Sequence, residues 1–160
     1  MKKVLLFVLA GIVIFSYFSC EKAGPSTPSC TSVAPSADSA KLIAFAGDSI
    51  LLTKDSTGLY YHIIDSGSGE RPVFSSTITV NYVGRLMNNT IFDSASHTNL
   101  MGAGLYNLIA GWQIGMPKIA KGGHIQLFIP SALAWGCTGN GSTVPANAPV
   151  FFDVELIDLY

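Results

Sequence analysis

Three stretches of the chain alternate apolar and polar residues with a period of two, and that pattern limits the fold more than any other feature of the sequence. In residues 77–85, Ile78, Val80 and Tyr82 share one face while Thr77, Thr79 and Asn81 share the other. Residues 123–130 set Ile125, Leu127 and Ile129 against His124, Gln126 and Phe128, and residues 150–160 place Phe152, Val154 and Leu156 inside with Asp153 and Glu155 outside. Such segments are strands with one buried face, so an antiparallel sheet must form with something covering its apolar side. Residues 59–64 add a further aromatic and β-branched run, closed by a turn-rich stretch to Pro72, and Asn88-Asn89 predicts a hairpin turn before Ile91-Phe92. The cover comes from residues 108–118, where Leu108, Ile109 and Trp112 have the spacing of one face of a single short helix. An antiparallel sheet wrapped on one helix is an α+β architecture.

The first residues follow different rules. Lys2 and Lys3 precede an uncharged apolar run over residues 4–18 that ends at Ser19-Cys20. The run is shorter than the roughly 20 residues of a membrane-crossing helix, and its basic start and small-residue end read as an export signal over residues 1–19. Tyr17-Phe18-Ser19-Cys20 resembles a bacterial lipobox, which predicts lipidation of Cys20 and attachment to a membrane of the bacterial cell envelope; an ordinary secretory signal with an incidental cysteine is the alternative. Residues 20–35, rich in Pro, Ser and Thr, predict a flexible tether. Residues 36–57 predict an accessory helix and a lead-in, with Ser36 capping a helix over residues 37–46 and Gly47 ending it. The main domain is then residues 58–160.

Composition narrows the function. A chain with 49% hydrophobic and 12% charged residues is not disordered, and a formal net charge of −1, more negative without Lys2 and Lys3, leaves no basic patch for nucleic acid. With Cys20 lipidated, Cys30 and Cys137 remain; their spacing leaves both a disulfide and two free thiols open, and two cysteines are too few for structural zinc. His62, His97 and His124 have no ligand spacing, so no metal is expected. The serines lie in turns, Cys137 has no base nearby in sequence, and Asp153 and Glu155 face outward, so nucleophilic and acid/base chemistry both lack their residues. By periodicity alone Tyr82, Phe92, Phe152 and Trp112 read as core and Asp93 as a turn residue. Nothing heptad-like suggests a dimer, so a monomer is expected.

The motifs, taken together, point further. Val80-Asn-Tyr-Val-Gly84, Ile91-Phe-Asp-Ser94, Leu108-Ile-Ala-Gly-Trp112, Ile129-Pro130, Leu133-Ala-Trp-Gly136, Val144-Pro-Ala-Asn-Ala148 and Phe152-Asp-Val-Glu-Leu156 resemble, in order and near spacing, the FKBP-type peptidyl-prolyl cis/trans isomerases. The resemblance extends over residues 58–160. It implies a half-barrel of about five antiparallel strands around the short helix. Its pocket would be walled by Tyr82, Phe92, Leu108, Ile109 and Phe152, with Trp112 as floor and Asp93 orienting polar contacts at the rim. The loop from Trp135 to Asn147 would form the lip, with Asn140, Thr143 and Val144 against the substrate, and Leu108 would offer its backbone N–H to a substrate carbonyl. The implied activity is rotation about Xaa-Pro bonds in unfolded or nascent exported polypeptides, without a cofactor and with macrolide inhibitors as further pocket ligands. The alternative keeps the fold as a peptide-binding or chaperone module.

Three positions depart from the family pattern. Trp135 stands where the family usually has tyrosine in Leu-Ala-Tyr-Gly, so the donor at the lip is an indole N–H in place of a hydroxyl. Residues 94–101 are expected as a shortened loop, with Asn99 or Leu100 in place of an aromatic wall residue. Asn140 stands where many members carry His or another polar residue, a change expected to alter sequence preference more than turnover.

Overall fold

The computed structural model describes residues 30–99 and 104–160. The expected signal, Cys20 with its lipid, the first part of the tether, and Leu100 and Met101 lie outside the described residues. Six strands, β1 (Thr53–Lys54), β2 (Tyr60–Asp65), β3 (Ile78–Leu86), β4 (Ile91–Asn99), β5 (His124–Ile129) and β6 (Val150–Leu159), form one sheet in the order β1-β2-β5-β6-β3-β4. Every pairing is antiparallel. Helices α1 (Ser39–Ala46) and α2 (Ala110–Gly115) pack on opposite faces of it. Among the described residues no helix is long and apolar enough to cross a membrane.

The period-two pattern decides what each face buries. Ile125, Leu127 and Ile129 of β5 and Phe152, Val154 and Leu156 of β6 are buried with Trp112 of α2 in the main core. The helix lies close to the sheet because it carries glycine where they meet. A Cβ on Gly111 would fall 2.5 Å from Ile129 Cγ2, and one on Gly115 would fall 2.4 Å from Leu127 Cδ2. The hairpin turn forms as expected, with Asn89 in the left-handed region at φ 66° and Thr90 N–H donating to Asn88 Oδ1 at 3.0 Å.

Five readings are extended or changed. Strands β2 to β6 are the five expected within residues 58–160, and β1, in the lead-in, extends the sheet by pairing with Tyr60 and Tyr61, too short a run to show in hydrophobic alternation. Residues 94–99, expected as loop, are the second half of β4, paired with β3 at Val83↔Ser94, Tyr82↔Ala95, Val80↔Thr98 and Thr79↔Asn99. A register shift between Val80 and Tyr82 accommodates the polar segment. The Asn81 Oδ1 accepts from Ser96 Oγ (3.2 Å) and from His97 N–H (2.8 Å), so polar groups hold the bulge where no apolar pattern marks a strand. The central helix spans only Ala110–Gly115: Leu108 and Ile109, after a 3₁₀ turn at Leu105–Asn107, have extended backbone, and a second 3₁₀ turn at Met116–Lys118 follows the helix.

The fourth change is at the accessory helix. Pro35–Asp38 is a 3₁₀ turn and the α-helix begins at Ser39, with no side-chain cap from Ser36; Gly47, at φ 68°, ends it as expected. Asp38 is drawn elsewhere, since its carboxylate accepts from Ser131 N–H (2.9 Å) and Ser131 Oγ (2.6 Å). The fifth concerns Phe128. It lies opposite Ile125, Leu127 and Ile129 as the alternation requires, but α1 covers that side, and Phe128 is fully buried with Leu42, Ala46, Tyr60 and Phe151.

Candidate active site

An apolar cavity of about 220 Å³ opens between β3, β6, α2 and the loop after β5, lined by Tyr82, Asp93, Asn107, Leu108, Ile109, Trp112, Trp135 and Phe152. Its shape follows from edge-on ring packing. Trp112, 4% exposed, stands perpendicular to both Tyr82 (centroids 5.5 Å, 88°) and Phe152 (5.3 Å, 88°). Phe92 stands perpendicular to Phe152 (5.4 Å) and to Trp135 (5.8 Å). Such perpendicular contacts direct ring edges at neighbouring ring faces and fix the rings against one another. Phe92 therefore supports the wall from behind, joining Trp135 to Phe152, and is not itself a lining residue.

Polar groups enter at the rim. The Tyr82 hydroxyl donates to Asp93 Oδ2 at 2.8 Å. Partial burial, and then the hydrogen bond and charge of Asp93, push the phenol up to about 12, so Tyr82 stays protonated and acts as a donor at any ordinary pH. The floor differs: the Trp112 Nε1–H is buried and has no hydrogen-bond partner among the described residues.

The backbone donor is one residue later than expected. Leu108 N–H already donates to Leu105 O at 3.1 Å, closing the 3₁₀ turn, so it is not free for a substrate. The N–H of Ile109 has no acceptor among the described residues and belongs to a residue that lines the cavity. Gln113, which the sequence reading missed, holds this segment in place by donating from Nε2 to Leu108 O (2.7 Å) and Tyr106 O (3.0 Å). Asn107 was missed as well; its place directly before Leu108 was the available signal.

The expected lip residues do not converge on the cavity. Val144 is 1% exposed and belongs to the core, and its backbone pairs with Asn140 in an isolated bridge. Asn140 and Thr143 are exposed, and the Thr143 hydroxyl donates to Asn140 O at 2.8 Å within the same loop. Of that loop only Trp135 reaches the lining. Cys30 and Cys137 are joined in a disulfide across a separation of 107 residues. No group of three His, Cys, Asp or Glu suited to a metal occurs among the described residues.

A larger hollow of about 540 Å³ lies on the opposite, polar face of β3, β4 and β6. Its groups satisfy one another: Asn81 Nδ2 donates to Glu155 Oε2 at 2.8 Å, and Gln126 Nε2 to the neighbouring Asp153 Oδ2 at 2.9 Å. The aromatic cavity is the better candidate, because it combines dry walls with a free backbone donor and a fixed polar rim.

Comparison with known proteins agrees with this geometry. Residues 69–157 match the family model of the FKBP-type peptidyl-prolyl cis-trans isomerases. The FKBP-type peptidyl-prolyl cis-trans isomerase FkpA of Escherichia coli is 41% identical over 105 residues, 65% of this chain but only 38% of FkpA. A probable isomerase of the same type from Haemophilus influenzae is 36% identical over 64% of this chain and 43% of its own length. The chain thus matches less than half the length of these relatives. Among solved structures, E. coli FkpA superposes with a TM-score of 0.69 at 35% identity, covering 79% of this chain and 59% of that one. A peptidyl-prolyl cis-trans isomerase from Pseudomonas syringae superposes at 0.66 with 26% identity, over 79% and 92% of the respective chains.

Proposed function

From the premise that this chain belongs to the FKBP-type peptidyl-prolyl cis-trans isomerases, we propose that it catalyses rotation about Xaa-Pro bonds of polypeptides bound in the aromatic cavity. The observation that carries this reading is a cavity of aromatic and aliphatic walls into which Ile109 brings a backbone N–H that has no acceptor among the described residues.

The chemistry asks for little else. Amide resonance sets a rotational barrier of roughly 18–20 kcal/mol, and no bond has to break to cross it. The twisted amide is less charge-separated than the planar one, so a site that replaces water by Tyr82, Trp112, Trp135 and Phe152 disfavours the ground state relative to the transition state. In this scheme the prolyl ring sits on Trp112, Ile109 N–H holds the carbonyl beside it, and the Tyr82–Asp93 pair fixes the rim. Each role can be met with the groups in the positions described.

The test is exchange NMR on a short Xaa-Pro peptide mixed with the purified chain. Cis/trans exchange is expected to speed up with the wild type and to diminish with Asp93→Val and Trp112→Ala; peptide shifts without faster exchange sink the catalytic reading. One observation favours the runner-up, a peptide-binding module of the same fold: Trp135 brings an indole where the family usually has a tyrosine hydroxyl. Trp135→Tyr separates the two, raising an existing rate in the first case and creating one from nothing in the second.

The proposed setting is the bacterial cell envelope, with the chain lipid-anchored at Cys20 and acting as a monomer on unfolded or maturing exported polypeptides. The basic-apolar-cysteine pattern of residues 1–20 supports export, and the Cys30–Cys137 disulfide supports an oxidising compartment. Mass spectrometry of the membrane-fraction protein tests the anchor: an unmodified Cys20, or a Cys20→Ala variant that stays on the membrane, removes it. A macrolide inhibitor is expected to compete with the peptide for the same cavity.

A further inference from the structure

Residues 30–38 lie outside the family match, yet they touch the Trp135 loop at its start, middle and end. At the start, Asp38, 2% exposed, accepts both the N–H and the hydroxyl of fully buried Ser131. In the middle, Cys30 is bonded to Cys137, and Ser32 Oγ accepts Cys137 N–H at 3.2 Å. At the end, Val33 N–H donates to Asn147 Oδ1 and Asn147 Nδ2 donates to Thr31 O, each at 3.4 Å. The arm also crosses directly over the residue after Trp135. Gly136 sits at φ 53°, and a Cβ there would fall 2.7 Å from Ser32 Oγ.

The loop's own bonds tie it to itself: the Thr138 hydroxyl (2.8 Å) and Gly139 N–H (3.3 Å) donate to Trp135 O, and Asn147 N–H donates to Gly136 O at 2.8 Å, so its place relative to the sheet depends on contacts from outside. Its span from Ser131 to Asn147 holds two single 3₁₀ turns and one isolated bridge, and within it Trp135 lines the cavity and packs edge-on against Phe92. Fastening by a segment from far away in sequence removes alternative loop positions that such a loop would otherwise sample.

We infer that residues 30–38 are a positioning strap for the catalytic loop: the disulfide, Ser32 and Asp38 hold Trp135 against Phe92 so that the cavity wall is in place before a substrate arrives. Cys30, Ser32 and Asp38 are positioning residues and touch no substrate. Part of what reads as a tether thus acts as a component of the site. A loop released from the strap closes the wall only part of the time, and a site that is competent for a fraction of the time binds more weakly by that fraction. Once substrate is bound the wall is complete, so the loss falls on KM and spares kcat.

The inference rests on the isomerase reading for its kinetic readout, and a second readout is independent of it. In the oxidised full chain, the indole N–H resonance of Trp135 is expected to be sharp. Reduction of the disulfide, or the paired change Cys30→Ser with Cys137→Ser, is expected to shift or broaden that resonance while the buried Trp112 resonance stays put. KM for an Xaa-Pro peptide is expected to rise about 3–10-fold with kcat within about twofold, and reoxidation of the wild type to restore both. Ser32→Ala, a surface change that leaves the disulfide intact, is expected to move the Trp135 resonance the same way by a smaller amount. An unchanged Trp135 resonance on reduction overturns the strap, as does a fall in kcat with KM constant. If the wild type shows no turnover, the isomerase reading fails and the strap stands or falls on the resonance alone.

Discussion

The two faces of the sheet each carry an aromatic cluster, and the two have opposite fates. On one face Tyr82, Phe92, Trp112, Trp135 and Phe152 pack edge to face around an open cavity. On the other, Phe45 of α1 packs with Phe128 and Phe151, centroids 4.9–6.3 Å apart. Both are built of packed rings, to which the first adds the polar edges of Tyr82, Trp112 and Trp135. The difference is that α1 lays Leu42 and Ala46 onto the second cluster and closes it, whereas α2 reaches the first through Trp112 and stops short of the rim, where Tyr82 and Asp93 meet water. An aromatic cluster becomes a site when its cover is incomplete and polar groups stand at the opening.

The sharpest test of this contrast is a matched pair of deletions. Trp112→Ala is expected to cost about 3–5 kcal/mol of stability and also to abolish most of the isomerase rate, because it removes the floor of the cavity. Phe128→Ala is expected to cost a similar amount, about 3–5 kcal/mol, with kcat/KM of the folded protein unchanged within about twofold. Denaturant melts and exchange rates measured on both variants decide the matter; an equal loss of rate in Phe128→Ala breaks the division between structural and functional cluster.

A smaller change sharpens the role of the rim. Tyr82→Phe keeps the ring packing on Trp112 and Phe152 and removes only the donor to Asp93, so it is expected to lower kcat/KM about tenfold, a loss of roughly 1.4 kcal/mol. Its thermal midpoint is expected to move little, since the lost hydrogen bond is at the surface end of the ring. In the second cluster the hydroxyl is that of Tyr60, which is not among the cavity-lining residues.

The smallest expected effect is with pH. Tyr82 keeps its proton until about 12, so kcat/KM is expected to be flat across the neutral range. Because the folded-state value is raised above the ordinary 10.0, the native state holds the proton more tightly than the unfolded chain. The contribution is complete below about pH 10 and is lost as pH rises through about 12, so stability should fall over that window in the wild type and fall less in Tyr82→Phe. A stability profile identical for the two proteins between those limits removes the Tyr82–Asp93 bond from the account.

Much of the first cluster was legible. Tyr82, Trp112 and Phe152 fall at the apolar positions of regular elements, and the order of motifs identifies them as cavity residues. Phe92 was legible as an aromatic of the hairpin but not as a supporting ring, because its role depends on Trp135 packing against it from a loop distant in sequence. Leu108 was misjudged as the donor: a single 3₁₀ turn occupies its N–H with Leu105 O and passes the free donor to Ile109, and a turn of that kind leaves no hydrophobic period to read. The second half of β4 was missed for a related reason, since its bulge is held by Asn81 and not by alternating apolar side chains. The family resemblance implied a lip role for Val144, and burial, a property of the whole fold, places its side chain in the core.

The sequence by itself determined the alternating strands, the single central helix, the aromatic set and the family, since period-two burial and motif order are local properties that survive without a fold. Tertiary structure alone decided that α1 closes the outer cluster, that Cys30 and Cys137 pair, and that Asp38 and Asn147 tie the arm to the Trp135 loop. The disulfide and the arm's hydrogen bonds join residues 93 to 116 positions apart, and only the closed sheet brings such distant groups within bonding distance.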